Sequence, residues 1–461
     1  MTCLNHASLA ASLAALTVAA DAAAASKPKS PAGKRPAVIV IMTDQQTAGA
    51  MSCAGNPWVR TPAMDALAAD GVRFTRAYCP FPLSGPCRAS LVTGRMPFEV
   101  GAFDNAIRPN DADMRAGIGH RLAEAGYECL YAGKWHVPEV NLPDSGTGFR
   151  RISKMDDPAL ADACDAALKE YDGQKPLFLV ASLLNPHEIC EYGRHETLQY
   201  GELAPFSTEE CPNLPANFMP STYAAEALTL EHASSPRYHD TYTYTQDDWR
   251  RYLYAYYRLV ERADREVGRI VGVLKAHGLY DDAAIVFLSD HGDGAAAHGW
   301  NQKWNLQEEV INVPLIVKPP KGAGLRGVRN DEALSNVGLD LYATVCDYAG
   351  VAPDPGRYRG RSLRPVAEGR QTTLHDEVFV ETLLPGPGMR GWCVVGPRYK
   401  YVLYQWGRNR EALYDLQDDP GEMVNLAVDR RYEAELNRLR RAMYDWGVRI
   451  GDPKLVRNLR P

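Results

Sequence analysis

The sequence predicts an α/β protein: a doubly wound, mostly parallel sheet flanked by helices, followed by a smaller C-terminal α+β unit built on an antiparallel sheet. Three observations lead there. Apolar, β-branched runs at 36–43, 177–184 and 283–288 lack polar alternation, as strands buried on both faces of a parallel sheet do. Helical segments separate them; in the clearest, Trp249, Leu253, Tyr256, Val260, Ala263, Val267, Ile270 and Leu274 recur at helical spacing. Past a Pro/Gly/Arg-rich stretch at 353–364, short strand-like runs at 377–381, 389–395 and 400–404 precede a helix over about 432–449. At 461 residues the chain is longer than one compact core usually allows. The expected division is a signal-like segment at 1–26, a large unit at 35–365 and a smaller one at 366–461.

Composition narrows the partners. A net charge of −6 gives no electrostatic reason to bind nucleic acid or an anionic membrane surface, so an anionic substrate must be drawn in by local cations. After the N-terminus no run is long and apolar enough to span a bilayer. Residues 9–20 are an Ala/Leu/Val run followed by small residues and a basic stretch, which resembles a secretory signal, although His6 is the only basic group ahead of it. A periplasmic or secreted location follows as an expectation. The ten cysteines show neither CxxC nor finger-like spacing, which excludes a zinc framework; buried thiols and one or two disulfides both stay open.

Taken in order, polar residues gather where strands end, the place where open α/β sheets bind ligands. The first run ends in Asp44-Gln45, a carboxylate beside an amide oxygen, suited to a hard cation or to a simple turn. Thr61-Pro62 opens a helix through about residue 69, and 72–78 reads as one short strand. Next comes Ser84-Gly-Pro-Cys-Arg88-Ala-Ser-Leu-Val-Thr-Gly-Arg95, where a helix starting near Pro86 puts the Ser84 hydroxyl at a helix N-terminus and Arg88 a turn away. That arrangement suits a sulfate or phosphate. Asp104, Asn105 and Arg108 lie in a loop at 101–110 and either touch a sugar or face water.

A strand over 128–132 ends in Gly133-Lys134-Trp135-His136; on extended chain Lys134 and His136 project to the same side, a cation and a proton carrier facing one anion. The 177–184 strand ends in Asn185-Pro186-His187-Glu188, and 190–242 reads as a long insertion over that edge of the sheet. Thr245 to Asp248 resembles a capping box opening the long helix, whose stripe is read as packing only. The 283–288 strand ends in Ser289-Asp290-His291, which with Asp44 and Gln45 offers four ligands from two strand ends. His298, Trp300 and Lys303 follow; His298 and Trp300 either line a sugar pocket or are buried.

These stations together resemble the type I, formylglycine-dependent sulfatases of the alkaline phosphatase-like superfamily. The resemblance is carried by Asp44-Gln45, the Ser84–Arg95 phrase, Ala-Gly-Lys134-Trp-His136, Pro186-His187, Asp290-His291, Lys303 ahead of Glu308-Glu309 and a Val-Pro-Leu-Ile strand, and Tyr-Asp-Leu with Asp-Pro and Asn-Leu-Ala at 414–427. It implies that Ser84 is converted to formylglycine. It also implies that Asp44, Gln45, Asp290, His291 and residue 84 hold one divalent cation, Ca2+ first and Mg2+ or Mn2+ as alternatives, His being softer than calcium prefers. Arg88 and Lys134 then contact sulfate, His187 and Lys303 serve the leaving group, and His136 is the base that releases sulfate. The substrate implied is a sulfated saccharide. Because position 84 is Ser rather than Cys, the implied partner is an anaerobic-type sulfatase-maturing enzyme.

Two rivals stand beside this reading. A phosphoester or phosphonate hydrolase of the same superfamily would use unmodified Ser84 as nucleophile, but a two-metal site needs more Asp/His ligands than His291 and His298 suggest. A binding-only homologue would be favoured by loss of Lys134, His136 or His187, and all three are present.

Overall fold

The computed structural model describes residues 35–137, 146–234, 241–352 and 358–459; the signal-like segment lies outside them. Residues 35–461 form one compact unit. Its strands in chain order are β1 (Val38–Asp44), β2 (Val72–Phe74), β3 (Ala77–Tyr78), β4 (Glu128–Gly133), β5 (Arg150–Arg151), β6 (Leu177–Pro186), β7 (Ala284–Ser289), β8 (Leu315–Lys318), β9 (Val328–Asn330), β10 (Ser335–Asn336), β11 (Val378–Leu384), β12 (Met389–Val395), β13 (Tyr399–Tyr404) and β14 (Glu411–Asp415).

Eight strands build the main sheet in the order β5-β4-β6-β1-β7-β8-β2-β9. β5, β4, β6, β1 and β7 run parallel, and only β8 opposes its neighbours. Every residue of β1, β6 and β7 is buried, which explains their uninterrupted apolar sequences. β1 lies between β6 and β7, so the carboxyl ends of all three open into one crevice.

One face of the sheet is covered by the helices Pro62–Ala69, Asp157–Glu170 and Gln246–Ala276, which bury Leu67, Leu160 and Val267 against Ile39, Ile41 and Leu179. The other carries the helices Ser84–Thr93, Ile118–Glu124 and Val337–Ala349 over Val40, Met42 and Val180. At the long helix the Thr245 hydroxyl accepts from Asp248 N (3.2 Å) and Asp248 accepts from Thr245 N (2.8 Å), a closed capping box.

Local expectations shift in three places. The 72–78 strand divides at Thr75-Arg76: β2 pairs with β8 and β9, while β3 pairs with β10. The helix expected from Pro86 begins at Ser84; Asn336 caps the Val337–Ala349 helix through Gly338 N and Leu339 N, where the sequence predicts a start at Ser335. The chain after β4 is not extended at His136 (φ 47°), so strand alternation is not what groups Lys134 with His136.

β11 to β14 form the second, fully antiparallel sheet. One face joins the core of the main sheet through Val378, Cys393 and Tyr404; the other packs Trp392, Val394 and Leu403 against Leu436, Leu439 and Met443 of the helix Glu433–Ile450. The described part of the 190–242 insertion holds only the short helices Ile189–Gly193, Thr208–Glu210 and Glu226–Ser234. The nine described cysteines are all free, and eight of them are buried. Among the described residues no helix is long and apolar enough to cross a membrane.

Candidate active site

Strand ends and one helix N-terminus assemble the site. β1 delivers Asp44, β7 delivers Asp290 and His291, and the Ser84–Thr93 helix brings Ser84 and Arg88 over both. All five side chains are 0–2% exposed. Ser84 Oγ lies 3.1 Å from His291 Nε2 and 3.4 Å from Asp44 Oδ1. The next amide, Gly85 N, donates to Asn105 Oδ1 at 2.9 Å. A Cβ at Gly85 would stand 2.9 Å from that same oxygen, so the contact requires glycine. Asn105 therefore supports the turn at Ser84, while Asp104 closes a local turn onto Ala106 N (2.9 Å).

Arg88 is the hub. Its Nε donates to Asp290 (2.8 Å), its Nη2 to Asp44 (2.8 Å), and its Nη1 to the Lys134 carbonyl (2.7 Å) and Ser182 Oγ (2.8 Å). Four of the five guanidinium N–H groups are thus spent on holding two carboxylates and two strand ends in register, rather than reserved for an incoming anion. Lys134, 5% exposed, sits 2.7 Å from Asp44 Oδ2. It reaches this position because Gly133 turns with φ 88°, where a Cβ would lie 2.0 Å from the Ser182 carbonyl oxygen.

On the far side of Asp44, Gln45 adopts φ 68°, a left-handed conformation uncommon for a residue with a side chain. Its Nε2 donates to Asp293 (2.7 Å), and its Oε1 accepts from Lys303 Nζ (2.8 Å) and from the Cys190 thiol (3.3 Å). Lys303 Nζ also lies 3.0 Å from His187 Nε2. His187, 20% exposed, and Glu191, 29% exposed, stand 4.0 Å apart at the rim. His136 Nδ1 is buried without a hydrogen-bond partner.

The field follows from these contacts. Burial alone would raise Asp44, but Lys134 and Arg88 beside it hold its carboxyl well below the usual range. Asp290 is pushed the other way, up to about 7, by burial and by the neighbouring Asp44 carboxylate. Burial, with Lys134 adding to it, lowers His136 to about 3; burial and Lys303 do the same to His291 and also depress His187. All three imidazoles are neutral at ordinary pH.

Asp44, Asp290 and His291 place ligand atoms within 4.8 Å of one another. The His291 Nδ1 faces the Gly292 carbonyl at 2.9 Å, so Nδ1 carries the proton and Nε2 turns its lone pair to the carboxylates. Two carboxylates and a neutral, oriented imidazole fit a divalent cation. Beside that trio, Gln45 Oε1 accepts from Lys303 and Cys190. The last two candidates lie apart from these contacts. Trp300 is 2% exposed, donates to the Lys303 carbonyl (3.3 Å) and stacks on His232, while His298 belongs to a separate buried cluster with Glu309 and Glu422.

Several supporting groups escaped the sequence reading. Asp293 accepts from Gln45, Gln302 N (3.0 Å), Ala295 N (2.8 Å) and Tyr252 OH (3.0 Å). Tyr256 OH donates to the Gln45 carbonyl (2.8 Å) and accepts from Thr47 N (2.9 Å). The signal was present in Asp293, two residues past His291, and in Tyr256 on the stripe read as packing with Tyr252 one turn before it.

A serine at a helix N-terminus, beside a carboxylate-imidazole cluster on a doubly wound sheet, is the arrangement of the alkaline phosphatase-like superfamily of ester hydrolases. Comparison with known families narrows it: the Sulfatase model matches residues 36–351, and the N-sulphoglucosamine sulphohydrolase C-terminal model matches residues 296–448. The chain belongs to the sulfatase family and is a sulfatase enzyme. Similar proteins include a Δ4,5-hexuronate-2-O-sulfatase of Bacteroides thetaiotaomicron, 29% identical over 91% of this chain and 90% of that protein. An N-acetylglucosamine-6-O-sulfatase of the same organism is 26% identical over 94% and 89%. The solved structure of a 2-O GAG sulfatase superposes with TM-score 0.79 at 27% identity, covering 91% of this chain and 93% of that one.

Proposed function

We propose that the protein removes sulfate from a sulfated saccharide, using a formylglycine made from Ser84 and one divalent cation, Ca2+ by preference over Mg2+ or Mn2+, held by Asp44, Gln45, Asp290, His291 and residue 84. The observation that carries this reading is that Ser84 Oγ meets Asp44 and His291, while Lys134 pairs with Asp44 and Lys303 joins its neighbour Gln45 to His187. Support for a sugar substrate comes from the similar proteins, two of them named for sugar sulfates. The cation and the hydrated aldehyde would supply a polarised oxygen nucleophile at position 84 and a way to expel sulfate by re-forming the carbonyl.

This chain's own residues do the rest. Arg88 keeps the two carboxylates at fixed spacing, so the anion is met mainly by Lys134 and Lys303. Both lysines are nearly buried, and in so dry a site their charge acts strongly on an oxyanion. The same lysines keep His136 and His187 neutral in the free site. A sulfate ester bound between them reverses that field and raises the proton affinity of both rings. His187, hydrogen-bonded to Lys303 at the rim, is then placed to protonate the departing sugar oxygen, and neutral His136 to accept the proton that frees residue 84.

Export, suggested by the apolar N-terminal run, and maturation by an anaerobic-type sulfatase-maturing enzyme complete the proposal, with 35–365 as the catalytic part and 366–461 as an appended subdomain. The test is mass spectrometry of the peptide containing residue 84, combined with sulfate release from a panel of sulfated sugars. Loss of two hydrogens at Ser84 together with sugar desulfation is expected. Intact serine in an active preparation, or cleavage of phosphoesters alone, would overturn it.

A further inference from the structure

Away from Ser84, a cleft of about 470 Å3 runs between the helix Glu433–Ile450 and the start of β11. Five arginines line it, Arg359, Arg361, Arg438, Arg441 and Arg449, against three acids, Asp376, Glu377 and Asp445. On a chain of net charge −6 this is a local reversal of sign. Arg438, Arg441, Asp445 and Arg449 follow one another at spacings of three, four and four, so they share one helix face.

Not every guanidinium is committed. Arg359 pairs with Glu99 (3.0 Å), and Arg438 with Glu377 and Glu435. Arg361, Arg441 and Arg449 are exposed and pair with no carboxylate among the described residues. Phe379 and Trp446 also line the cleft, stacked on each other with ring centroids 4.4 Å apart and planes parallel to within 2°. Trp446 is 6% exposed, and its buried indole N–H has no hydrogen-bond partner.

Arg441 and Arg449 suit oxyanions that accept two parallel hydrogen bonds, and Arg361, one of whose N–H groups donates to the Leu374 carbonyl (2.7 Å), adds its charge beside them. We propose that this cleft is a second, non-catalytic binding site for a sulfated saccharide chain, which holds a polymer while Ser84 acts on one residue of it. The choice of a sulfated sugar as occupant rests on the function proposed above; the cleft's affinity for an anion does not.

The test measures binding of a heparin hexasaccharide by calorimetry in the Ser84→Ala protein, which cannot turn the probe over, at low and at physiological ionic strength. Adding R441E and R449E together, or R361E on the opposite wall, is expected to weaken binding at least about tenfold and to flatten the salt dependence, since each change removes a charged hydrogen-bond donor. In the Ser84 enzyme the same changes leave desulfation of a monosaccharide unaltered and slow that of the oligosaccharide. Unchanged affinity in both arginine variants overturns the proposal. So does a single-stranded oligonucleotide of matched charge that binds as tightly with the same arginine dependence. An enzyme that desulfates no sugar would refute the proposed function while leaving the arginine-dependent binding in place, so the two failures are separable.

Discussion

Two buried clusters in this molecule each gather a histidine and two carboxylates whose ligand atoms lie within 4.8 Å of one another, yet their surroundings are charged in opposite senses. Around Asp44, Asp290 and His291 stand Arg88, Lys134 and Lys303. Around His298, Glu309 and Glu422 there is one buried cation, Lys400, and a further acid, Glu308. Lys400 Nζ sits 2.7 Å from Glu422 Oε1 and 3.0 Å from Glu308 Oε1, so one ammonium is shared between two acids. At the first cluster cations are in surplus, which under the proposed function serves an anion. At the second, surplus acids must take up protons or lean on the one lysine, and the cluster ties β13 and the turn at Glu422 to the Glu308–Ile311 segment. A histidine with two carboxylates is not a site by itself; the charges behind it decide what it can hold.

The largest effect that separates the clusters is expected on catalysis. Lys303→Ala removes the cation shared by Gln45 and His187. It should lower kcat/KM on a sulfated sugar about a thousandfold, on the order of 4 kcal/mol of transition-state stabilisation, with the fold retained by circular dichroism. A loss of less than about tenfold would mean that the first cluster's surplus charge is not aimed at substrate. Lys400→Met should do the reverse. It strands Glu308 and Glu422 in a buried site and is expected to cost about 3 kcal/mol in urea unfolding, while kcat/KM per folded molecule is unchanged.

The second cluster should also report on pH. Burial raises Glu422 to about 7 against the opposing pull of Lys400, from an ordinary 4.5. A carboxyl with a raised folded-state pKa contributes stability that is complete below its unfolded value and is lost as pH rises through the folded one. Wild-type stability should therefore fall by about 2 kcal/mol more than that of Glu422→Gln between about pH 5 and pH 8, measured by urea midpoints. Parallel pH profiles for the two proteins would show that Glu422 is ionised throughout.

The difference between the clusters also marks what the sequence could disclose. β1, β6 and β7 were legible because burial on both faces leaves a continuous apolar run, and their terminal Asp44, His187 and Asp290 stood out as polar residues at the ends of such runs. The 72–78 segment was not, because its division between two sheets depends on partners at 315–318, 328–330 and 335–336 that local patterning does not encode. Arg88 was named from the sequence as lying a turn from Ser84, but the distribution of its N–H groups between Asp44, Asp290 and two strand ends needs the folded sheet. His298 sits two residues ahead of Trp300 and five ahead of Lys303, and nothing at that spacing says that it turns to Glu422, more than a hundred residues on. Long-range pairings of charge were the part that remained hidden.

The smallest prediction asks whether the layer behind the first cluster serves chemistry or only stability. Tyr252 OH donates to Asp293 at 3.0 Å, and Asp293 fixes the Gln45 amide whose oxygen receives Lys303. Tyr252→Phe keeps the ring packed in its aromatic cluster and leaves Asp293 three other donors, so the cost in stability should be only about 1 kcal/mol. If Gln45 and Lys303 are positioned through this chain, kcat should fall about threefold with KM unchanged, because alignment is lost without loss of charge. A purely structural tyrosine would lower the urea midpoint by the same amount and leave kcat where it was. The Asp293→Asn enzyme distinguishes the two more sharply, since an amide can turn its nitrogen toward Gln45 Nε2 and release the side chain that Lys303 now holds.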